Sequence, residues 1–183
     1  MSVKLRDMLE SDIENYVRWF TVSDDNIDWD KYDAPWEAVE TDEAAERKSW
    51  QEYFDRLKTL PEGYTRWKFE IEADGEHIGW VSSYTDLDYL ENPEEIRAIG
   101  IDIPERRHRK KGYGEQAMRM FMDYLKEWGA KSLYTQTWSG NIPMIRLAEK
   151  LGFKEYARVE GLREVNGKKY DAITWRIDFE EDA

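Results

Sequence analysis

A basic loop that leads into two glycines is the part of this sequence best suited to chemistry. It reads PERRHRKKGYG from Pro104 to Gly114, and its cations are Arg106, Arg107, Arg109, Lys110 and Lys111. These cations would crowd the start of a helix, where the macrodipole already carries about half a positive charge. An anion bound by free backbone N–H groups would compensate for them. Because Gly112 and Gly114 have no Cβ, the backbone could approach a phosphate closely there.

Two interpretations of this loop compete. A basic run is commonly a solvated surface, and a Gly-x-Gly pair arises by chance roughly once in a chain of this length. The flanking segments favour a phosphate site, because Ile96–Ile103 reads as a strand covered on both faces and the segment after Gly114 reads as an amphipathic helix. The apolar stripe of that helix consists of Ala117, Phe121, Leu125 and Trp128, widened by Met118 and Met122.

The segment Arg109-Lys-Lys-Gly-Tyr-Gly114 resembles the R/Q-x-x-G-x-G/A loop of the GCN5-related N-acetyltransferases (GNAT superfamily), which binds the pyrophosphate of acetyl-coenzyme A. A second element follows at the spacing of that family. The strand LYTQTW precedes a stretch from Asn141 to Phe153 that is similar to the family's asparagine-led helix ending in Gly-Phe. The resemblance covers essentially the whole chain, in the style of the ribosomal-protein N-terminal and aminoglycoside 6′-N-acetyltransferase branch.

The resemblance implies a single N-acetyltransferase domain over residues 1–183 with an α/β fold. Its central mixed, twisted sheet would have about seven strands, splayed between the fourth and the fifth, with helices on both faces. The hydrophobic pattern along the chain gives the same kind of order, β-α-α-β-β-β-α-β-α-β-β. The predicted strands are Val3–Arg6, Arg66–Ala73, His77–Tyr84, Ile96–Ile103, Lys131–Trp138, Lys154–Arg163 and Lys169–Ile177.

Turn and cap signals separate these elements. Asp74-Gly75 and Asn166-Gly167 predict two hairpins. The predicted helices are Asp12–Phe20 capped by Ser11 with an apolar face of Ile13, Tyr16, Val17 and Phe20, about Asp42 to Leu60, the segment after Gly114, and Asn141–Lys150 closed by Gly152. Because a helix crosses between the strands Ile96–Ile103 and Lys131–Trp138, we expect those two strands to be parallel.

The resemblance also implies acetyl-coenzyme A as cosubstrate and no metal. The thioester would lie along the strand before the basic loop, with backbone N–H groups around Ile101 to Ile103 polarising its carbonyl. Asn141 would hold the pantetheine or an ordered water. The residues expected to bind the cosubstrate are Ile101, Ile103, Arg109, Lys110, Lys111, Gly112, Tyr113, Gly114 and Asn141.

Asp102 is the candidate catalytic base. Acetyl transfer needs a neutral amine, whereas an alkyl ammonium has a pKa near 10.4. Asp102 lies among apolar residues in IGIDIP, and a carboxylate in a dry cleft has a raised pKa and can accept a proton. Some aminoglycoside 6′-N-acetyltransferases have a similar Gly-Ile-Asp with the aspartate as base. Asp102 could instead orient a loop or bind the acceptor ammonium. His77 reads as a strand histidine, because nothing near it in the sequence makes it a base.

The sequence departs from the family pattern in three ways. Ala148 stands where many members have a tyrosine as general acid, seven residues after the asparagine. The branch acting on ribosomal proteins often has a Glu near Ala98 and a Ser near Met144, and the aminoglycoside branch has an Asp where Gln136 stands. Bulk water or Ser139 are therefore the remaining donors for the departing thiolate.

An acidic segment, residues 23–46, interleaves carboxylates with Trp29, Tyr32 and Trp36. An EF-hand would need Gly at its sixth and Glu at its twelfth position, so calcium is not expected. The segment is either a charged loop anchored by aromatic residues or a lip that draws in a cation. Since the family often places the acceptor here, the residues expected to bind it are Asp33, Trp36 and Tyr84.

Composition limits the function classes. The 183 residues include no cysteine, which excludes disulfides, thiolate metal sites and an acyl-cysteine intermediate, so direct attack in a ternary complex is expected. The net charge of −13 disfavours nucleic acid and anionic membranes as partners. No apolar run approaches transmembrane length, and we expect a cytoplasmic monomer or homodimer.

The sequence thus predicts an acetyl-CoA-dependent N-acetyltransferase that acts on a primary amine, with a small cationic amine as the first candidate acceptor. A peptide N-terminus or a lysine side chain is the second. A non-catalytic acyl-CoA-binding sensor stays open as an alternative, because the usual general acid is missing at Ala148.

Overall fold

One seven-stranded mixed sheet organises the chain. The structure is a computed structural model that describes residues 2–37, 41–85, 87 and 97–179. Its strands are β1 Val3–Arg6, β2 Lys68–Ala73, β3 Glu76–Tyr84, β4 Ala98–Asp102, β5 Ser132–Trp138, β6 Lys154–Val165 and β7 Lys168–Asp178. Its helices are α1 Ile13–Thr21, α2 Glu43–Leu57, α3 Tyr113–Trp128 and α4 Ile142–Leu151. The predicted order of elements is confirmed.

The strand order is β1-β2-β3-β4-β5-β7-β6. As predicted, β2–β3 and β6–β7 are antiparallel hairpins, and β4 and β5 are parallel. The pairing of β4 with β5 consists of one register pair, Ala98 with Tyr134, and the Tyr134 N–H donates to the Arg97 carbonyl at 2.9 Å. The two strands diverge beyond this pair, which is the predicted splay. Ile96, the predicted start of β4, lies outside the described residues.

The face of the sheet under α3 and α4 holds the larger core. Ala117, Met118, Phe121, Met122 and Leu125 of α3 are buried there, as their spacing predicts. The inclusion of Trp128 in that stripe is wrong, because this last residue of α3 is 49% exposed and packs edge-on against Trp67 with ring centroids 4.7 Å apart.

The opposite face is covered by α1 and α2 and is rich in aromatic residues. Tyr16, Trp19 and Trp80 are buried in this cluster, and Phe20, predicted on the apolar face of α1, is partly buried against it. The predicted cap at Ser11 is wrong. A 3₁₀ turn, Glu10–Asp12, precedes α1, and the carboxylate that accepts the Leu9 N–H at 2.7 Å belongs to Asp12.

Two further boundaries and one residue differ from expectation. Helix α2 begins after Asp42, whose carboxylate accepts from the N–H groups of Ala44 and Ala45, and it ends at Leu57 rather than Leu60. His77 lies in β3, as predicted, but the premise that nothing nearby makes it a base is wrong. Its Nε2 lies 2.9 Å from Glu70 Oε2 and its Nδ1 lies 3.2 Å from Asp12 Oδ1, and all three side chains are buried.

Buried carboxylates hold the basic loop against the body of the protein. Glu105 accepts hydrogen bonds from Arg18, Trp19 Nε1 at 3.2 Å, Asn26 Nδ2 at 3.0 Å and Arg107 Nε at 2.6 Å. Burial alone would raise the pKa of Glu105, but these hydrogen bonds lower it to about 2. Glu105 therefore joins α1 to the loop that follows β4.

None of the helices in the described parts of the chain has the length and apolar content needed to cross a bilayer.

We predict that Glu105→Gln destabilises the protein by roughly 2–4 kcal/mol at neutral pH, because Arg18 and Arg107 lose their shared buried counter-ion. The pKa of Glu105 is lower in the folded chain, so its contribution is complete above pH 4.5 and is lost as the pH falls towards 2. Urea unfolding at pH 7 and pH 3 measures both effects. The loss should shrink at pH 3. Glu62→Gln, in an exposed loop, is the control.

Candidate active site

A cavity of about 1250 Å³ lies where β4 and β5 diverge. Its walls come from the end of β4, the basic loop, the start of α3, β5, the start of α4, and the acidic segment around residues 29–37. Pockets for one small ligand usually enclose about 300–1,000 Å³. The volume is therefore sufficient for a large ligand and a second, smaller one.

The start of α3 lies at one end of this cavity. Gly112 is its N-cap residue, in the left-handed conformation with φ 83°, and no side chain caps the helix. The N–H groups of the first turn are thus left without an intrahelical or side-chain acceptor. Lys110, Gly112 and Gly114 line the cavity. An uncapped helix start beside two glycines and a lysine fits a phosphate group.

Two residues predicted for the same loop have other surroundings. The Tyr113 ring is buried in the α3/α4 core, and its hydroxyl donates to Asp74 Oδ2 at 2.7 Å. The Lys111 side chain is exposed and is not part of the cavity wall. Their predicted contact with a cosubstrate stays a prediction, and for Tyr113 it would have to use the backbone N–H.

The prediction that a bound anion must balance all five cations of the loop is wrong, because three of them already pair with carboxylates of the protein. Arg106 and Arg109 both bind the buried Asp28, the latter at 2.6 Å, and Arg107 binds Glu105 and Glu76. Burial raises the pKa of Asp28, but the two arginines lower it further than that. Lys110 and Lys111 form no ion pair within the described residues, so they are the cations left for a ligand.

Arg109 braces the loop rather than facing solvent. Its Nε donates to the Ile103 carbonyl at 2.7 Å and its Nη2 to the Pro104 carbonyl at 2.6 Å. It also lines the cavity. These bonds fix the chain between β4 and α3, and through that the position of the uncapped helix start.

The backbone of β4 faces the gap beyond Ala98. Because the Arg97 carbonyl points to β5, the backbone N–H of Ile101, an even number of residues further on, points to the same side. In the gap it has no strand partner. The side chains of Ile101 and Ile103 pack on the α3/α4 face and line the cavity.

Asp102 points to the opposite face of the sheet. Its cross-strand partner is Trp80, a member of the α1/α2 cluster, and Asp102 also lines the cavity. Burial and the nearby Asp33 raise the pKa of Asp102 to about 7, with Lys68 and Arg109 limiting the rise. Within the described residues no hydrogen-bond donor is paired with its carboxylate.

Lys68 was not foreseen from the sequence. Its ammonium lies 4.4 Å from the ring centroids of Tyr16 and Trp50 and 5.2 Å from those of Tyr53 and Trp80. Burial lowers the pKa of Lys68, whereas Glu70 and Asp102 raise it. A lysine at an alternate position of a half-apolar strand is a weak signal, since it usually indicates a solvent-facing residue.

The residues predicted for the acceptor lie in the cavity wall. Asp33, Trp36 and Tyr84 all line it, together with Trp29 and Glu37. Asp33 is exposed at the protein surface, yet partial desolvation of its carboxylate and the negative charge of Glu37 raise its pKa. The Trp36 ring packs edge-on against Trp138 with centroids 5.8 Å apart. The structure thus brings these three residues together with Asp102.

Asn141 connects the acidic segment to the rest of the site. Its Oδ1 accepts the Met144 N–H at 3.1 Å and caps α4, and its Nδ2 donates to the Tyr32 carbonyl at 3.0 Å. Trp138 Nε1 donates to the same carbonyl at 2.8 Å. The segment therefore belongs to the cavity wall. Its backbone anchor at Tyr32 carries no sequence signal, because any residue type supplies a carbonyl.

The structure also shows the surroundings of Ala148 and Ser139, the two positions considered for a proton donor to the departing thiolate. Ala148 is fully buried in the α3/α4 core. The Ser139 hydroxyl accepts the Asp171 N–H at 2.9 Å and is not part of the cavity wall. No cluster of three or more potential metal ligands exists among the residues the structure describes.

Comparison with known proteins gives one family. The sequence profile described as "Acetyltransferase (GNAT) domain" matches residues 2–154. No curated protein matches the sequence. Among solved structures, yncA of Salmonella typhimurium, provisionally described as an acetyltransferase and solved with acetyl-CoA, has TM-score 0.69 at 19% identity, covering 100% of this chain and 97% of its own.

Two further structures give the same fold. Ribosomal-protein-S5-alanine acetyltransferase of Vibrio fischeri has TM-score 0.70 at 17% identity, covering 97% of this chain and 93% of its own. A protein provisionally described as a phosphinothricin N-acetyltransferase has TM-score 0.68 at 23% identity, covering 98% and 100%. At these identities the likeness establishes the fold.

We predict that Asp102→Asn stabilises the protein at pH 8 by up to about 4 kcal/mol and has little effect at pH 4. The pKa of Asp102 rises from 3.8 to about 7 on folding, so its ionised form is disfavoured in the folded state. Wild-type stability therefore falls as the pH rises from 4 to 7, and the variant escapes this loss. Thermal unfolding across pH 4–8 measures it, with Asp123→Asn on the exposed side of α3 as control. A difference that does not grow with pH would contradict the raised pKa.

Proposed function

The chain belongs to the GNAT acetyltransferase family, and on that premise we propose that it transfers the acetyl group of acetyl-coenzyme A to a small cationic primary amine by direct attack in a ternary complex. The observation that carries this proposal is the presence, in one cavity, of an uncapped helix start at Gly112 and of the Asp102 carboxylate, which has no paired donor among the described residues.

Acetyl-coenzyme A supplies an activated acetyl thioester when bound. The first-turn N–H groups of α3, with Lys110, Gly112 and Gly114, would hold its phosphates, since they have no acceptor within the protein. The Ile101 N–H faces the gap between β4 and β5 and would donate to the thioester carbonyl. Asn141 would hold the pantetheine or a water only if its amide leaves the Tyr32 carbonyl.

Asp102 is the proposed base. An amine with a pKa near 10.4 is protonated at neutral pH, so a group in the site must accept its proton before the nitrogen can attack. With a pKa of about 7, Asp102 is ionised in a useful fraction at neutral pH and is a strong enough base to share the proton. The ammonium of Lys68 and the guanidinium of Arg109 keep this pKa from rising further.

The charge distribution supports a cationic acceptor. The carboxylates of Asp33, Glu37 and Asp102 line the cavity together with the aromatic side chains of Trp29 and Trp36. Aromatic faces beside carboxylates attract ammonium groups, and the net charge of −13 favours the approach of a cation from solution. The peptide N-terminus or lysine is the second candidate, which the missing Glu and Ser at Ala98 and Met144 disfavour.

The decisive experiment is the release of free thiol from acetyl-coenzyme A in the presence of alkyl monoamines, diamines, aminoglycosides and short peptides. We expect turnover with small cationic amines and a rate that rises with pH through about 7. Asp102→Asn should lower the rate by about 10²–10⁴ at pH 7 and by less at pH 9, where free amine is more abundant. A uniform loss at every pH would indicate that Asp102 only binds the ammonium. Coenzyme A binding without turnover on any amine would favour the sensor.

A separate prediction concerns the cradle. Gly112→Ala should weaken coenzyme A binding at least about tenfold (about 1.4 kcal/mol), because its methyl would stand where the phosphate approaches; the nearest protein atom, Gln116 Nε2, would be 3.7 Å away. Calorimetric titration with coenzyme A measures this.

The matched control is Gly63→Ala. Gly63 has a similar φ of +76° with nothing near the added Cβ, so it reproduces the left-handed strain far from the cavity. Both variants should lose similar stability, and only Gly112→Ala should lose affinity. Equal coenzyme A affinity in the two variants would remove the cradle from the site.

A further inference from the structure

The missing general acid leaves a specific chemical need. When the bond between the acetyl carbon and sulfur breaks, the sulfur leaves with the electron pair as a thiolate, which a nearby donor must stabilise. Ala148, in the position of the family's tyrosine, has no donor, and the Ser139 hydroxyl lies outside the cavity wall.

Thr135 of β5 has a hydroxyl that the fold itself does not use. The residue is 1% exposed, its Oγ1 has no hydrogen-bond partner in the part of the chain that the structure describes, and it lines the cavity. A buried hydroxyl without a partner costs about 1–3 kcal/mol, so its presence in a sheet interior requires an explanation. A ligand group in the cavity provides one.

The direction of Thr135 agrees with this use. Side chains alternate along β5, so Thr135 faces the same side as Leu133, which packs with Ala148 in the α3/α4 core. Ile101 and Ile103, across the gap, face that side too. Thr135 follows Tyr134, the last residue of β5 paired with β4, and therefore stands at the point where the strands begin to separate.

Other unsatisfied or hydroxyl-bearing groups fit less well. Trp175 Nε1, on the strand beside Thr135, is also unpaired, but Trp175 is not part of the cavity wall. The Thr174 hydroxyl accepts from Gln136 Nε2 at 3.0 Å. Ser82 and Thr137 line the cavity but are only half-buried.

We propose that the Thr135 hydroxyl donates a hydrogen bond to the coenzyme A sulfur and stabilises it as a thiolate, a role that rests on the proposed acetyl transfer. Protons and electron pairs balance in this reaction. Asp102 takes one proton from the acceptor ammonium, the nitrogen lone pair forms the bond to the acetyl carbon, and the electron pair of the carbon–sulfur bond passes to sulfur. The second proton, released by the acetylated nitrogen, neutralises the thiolate, and Asp102 returns its proton to water. Thr135 keeps its own proton throughout.

The test uses coenzyme A labelled with ¹³C at the carbon next to sulfur, whose chemical shift reports ionisation of the bound thiol. Thr135→Val preserves shape and removes the hydroxyl, and Thr135→Ser keeps it. We expect the thiol pKa to rise by about one unit in Thr135→Val and to stay close to the wild-type value in Thr135→Ser, the size expected for one hydrogen bond to a charged atom.

Stability gives a second readout. Since the hydroxyl has no partner in the free protein, Thr135→Val should unfold at the same or a higher temperature than wild type. A lower unfolding temperature would mean that the core uses the hydroxyl, and would overturn the proposal. An unchanged thiol pKa in Thr135→Val that still binds coenzyme A would overturn it while leaving acetyl transfer intact. Failure of the wild type to bind coenzyme A would overturn both.

Discussion

The site depends on two parallel strands that pair at one end and separate at the other. Ala98 and Tyr134 form the register pair between β4 and β5, and beyond it every second residue of each strand turns its backbone towards the gap. Such a gap would be costly in a plain sheet, because buried backbone groups need partners. Here it opens into a cavity that a ligand or water can fill. Alternation along β4 places the side chain of Ile101 on one face of the sheet and that of Asp102 on the other.

The carboxylates show how surroundings decide the use of one chemical group. Glu105 is buried among four donors and has a pKa of about 2, which keeps it ionised as a structural anchor. Asp102 lines the cavity, has no paired hydrogen-bond donor among the described residues, lies near a second carboxylate at Asp33, and has a pKa of about 7. Glu105 holds the basic loop in place, and Arg109 of that loop lowers the pKa of Asp102. Because Asp28 and Glu105 bind the three arginines of the loop, Lys110 and Lys111 are the cations that the described residues leave without an ion pair beside the uncapped helix start at Gly112.

Features that depend on residues close together in the sequence could be predicted from it. The Asn166-Gly167 turn, the buried stripe of α3, the cap at Asn141 and the alternation that isolates Asp102 each follow from spacing within a few residues. The arginine partners could not be found in this way, since Asp28 and Arg106 are 78 positions apart and meet only through the fold. The same reason applies to His77, whose partners lie on other elements, and to Thr135, whose unpaired hydroxyl is visible only when its neighbours are placed.

The ammonium of Lys68 lies among aromatic rings, where desolvation of its charge costs free energy. A buried ammonium is unfavourable, and a methionine would pack among Tyr16, Trp50 and Trp80 without desolvating a charge. The aromatic faces offset part of this cost through cation–π attraction. In return the ammonium lies close enough to Asp102 to lower a pKa that burial and Asp33 raise. In the proposed mechanism a lower pKa keeps more of the Asp102 carboxyl ionised at neutral pH, so the aromatic cluster under α1 and α2, which holds Lys68, influences a cavity that most of it does not touch.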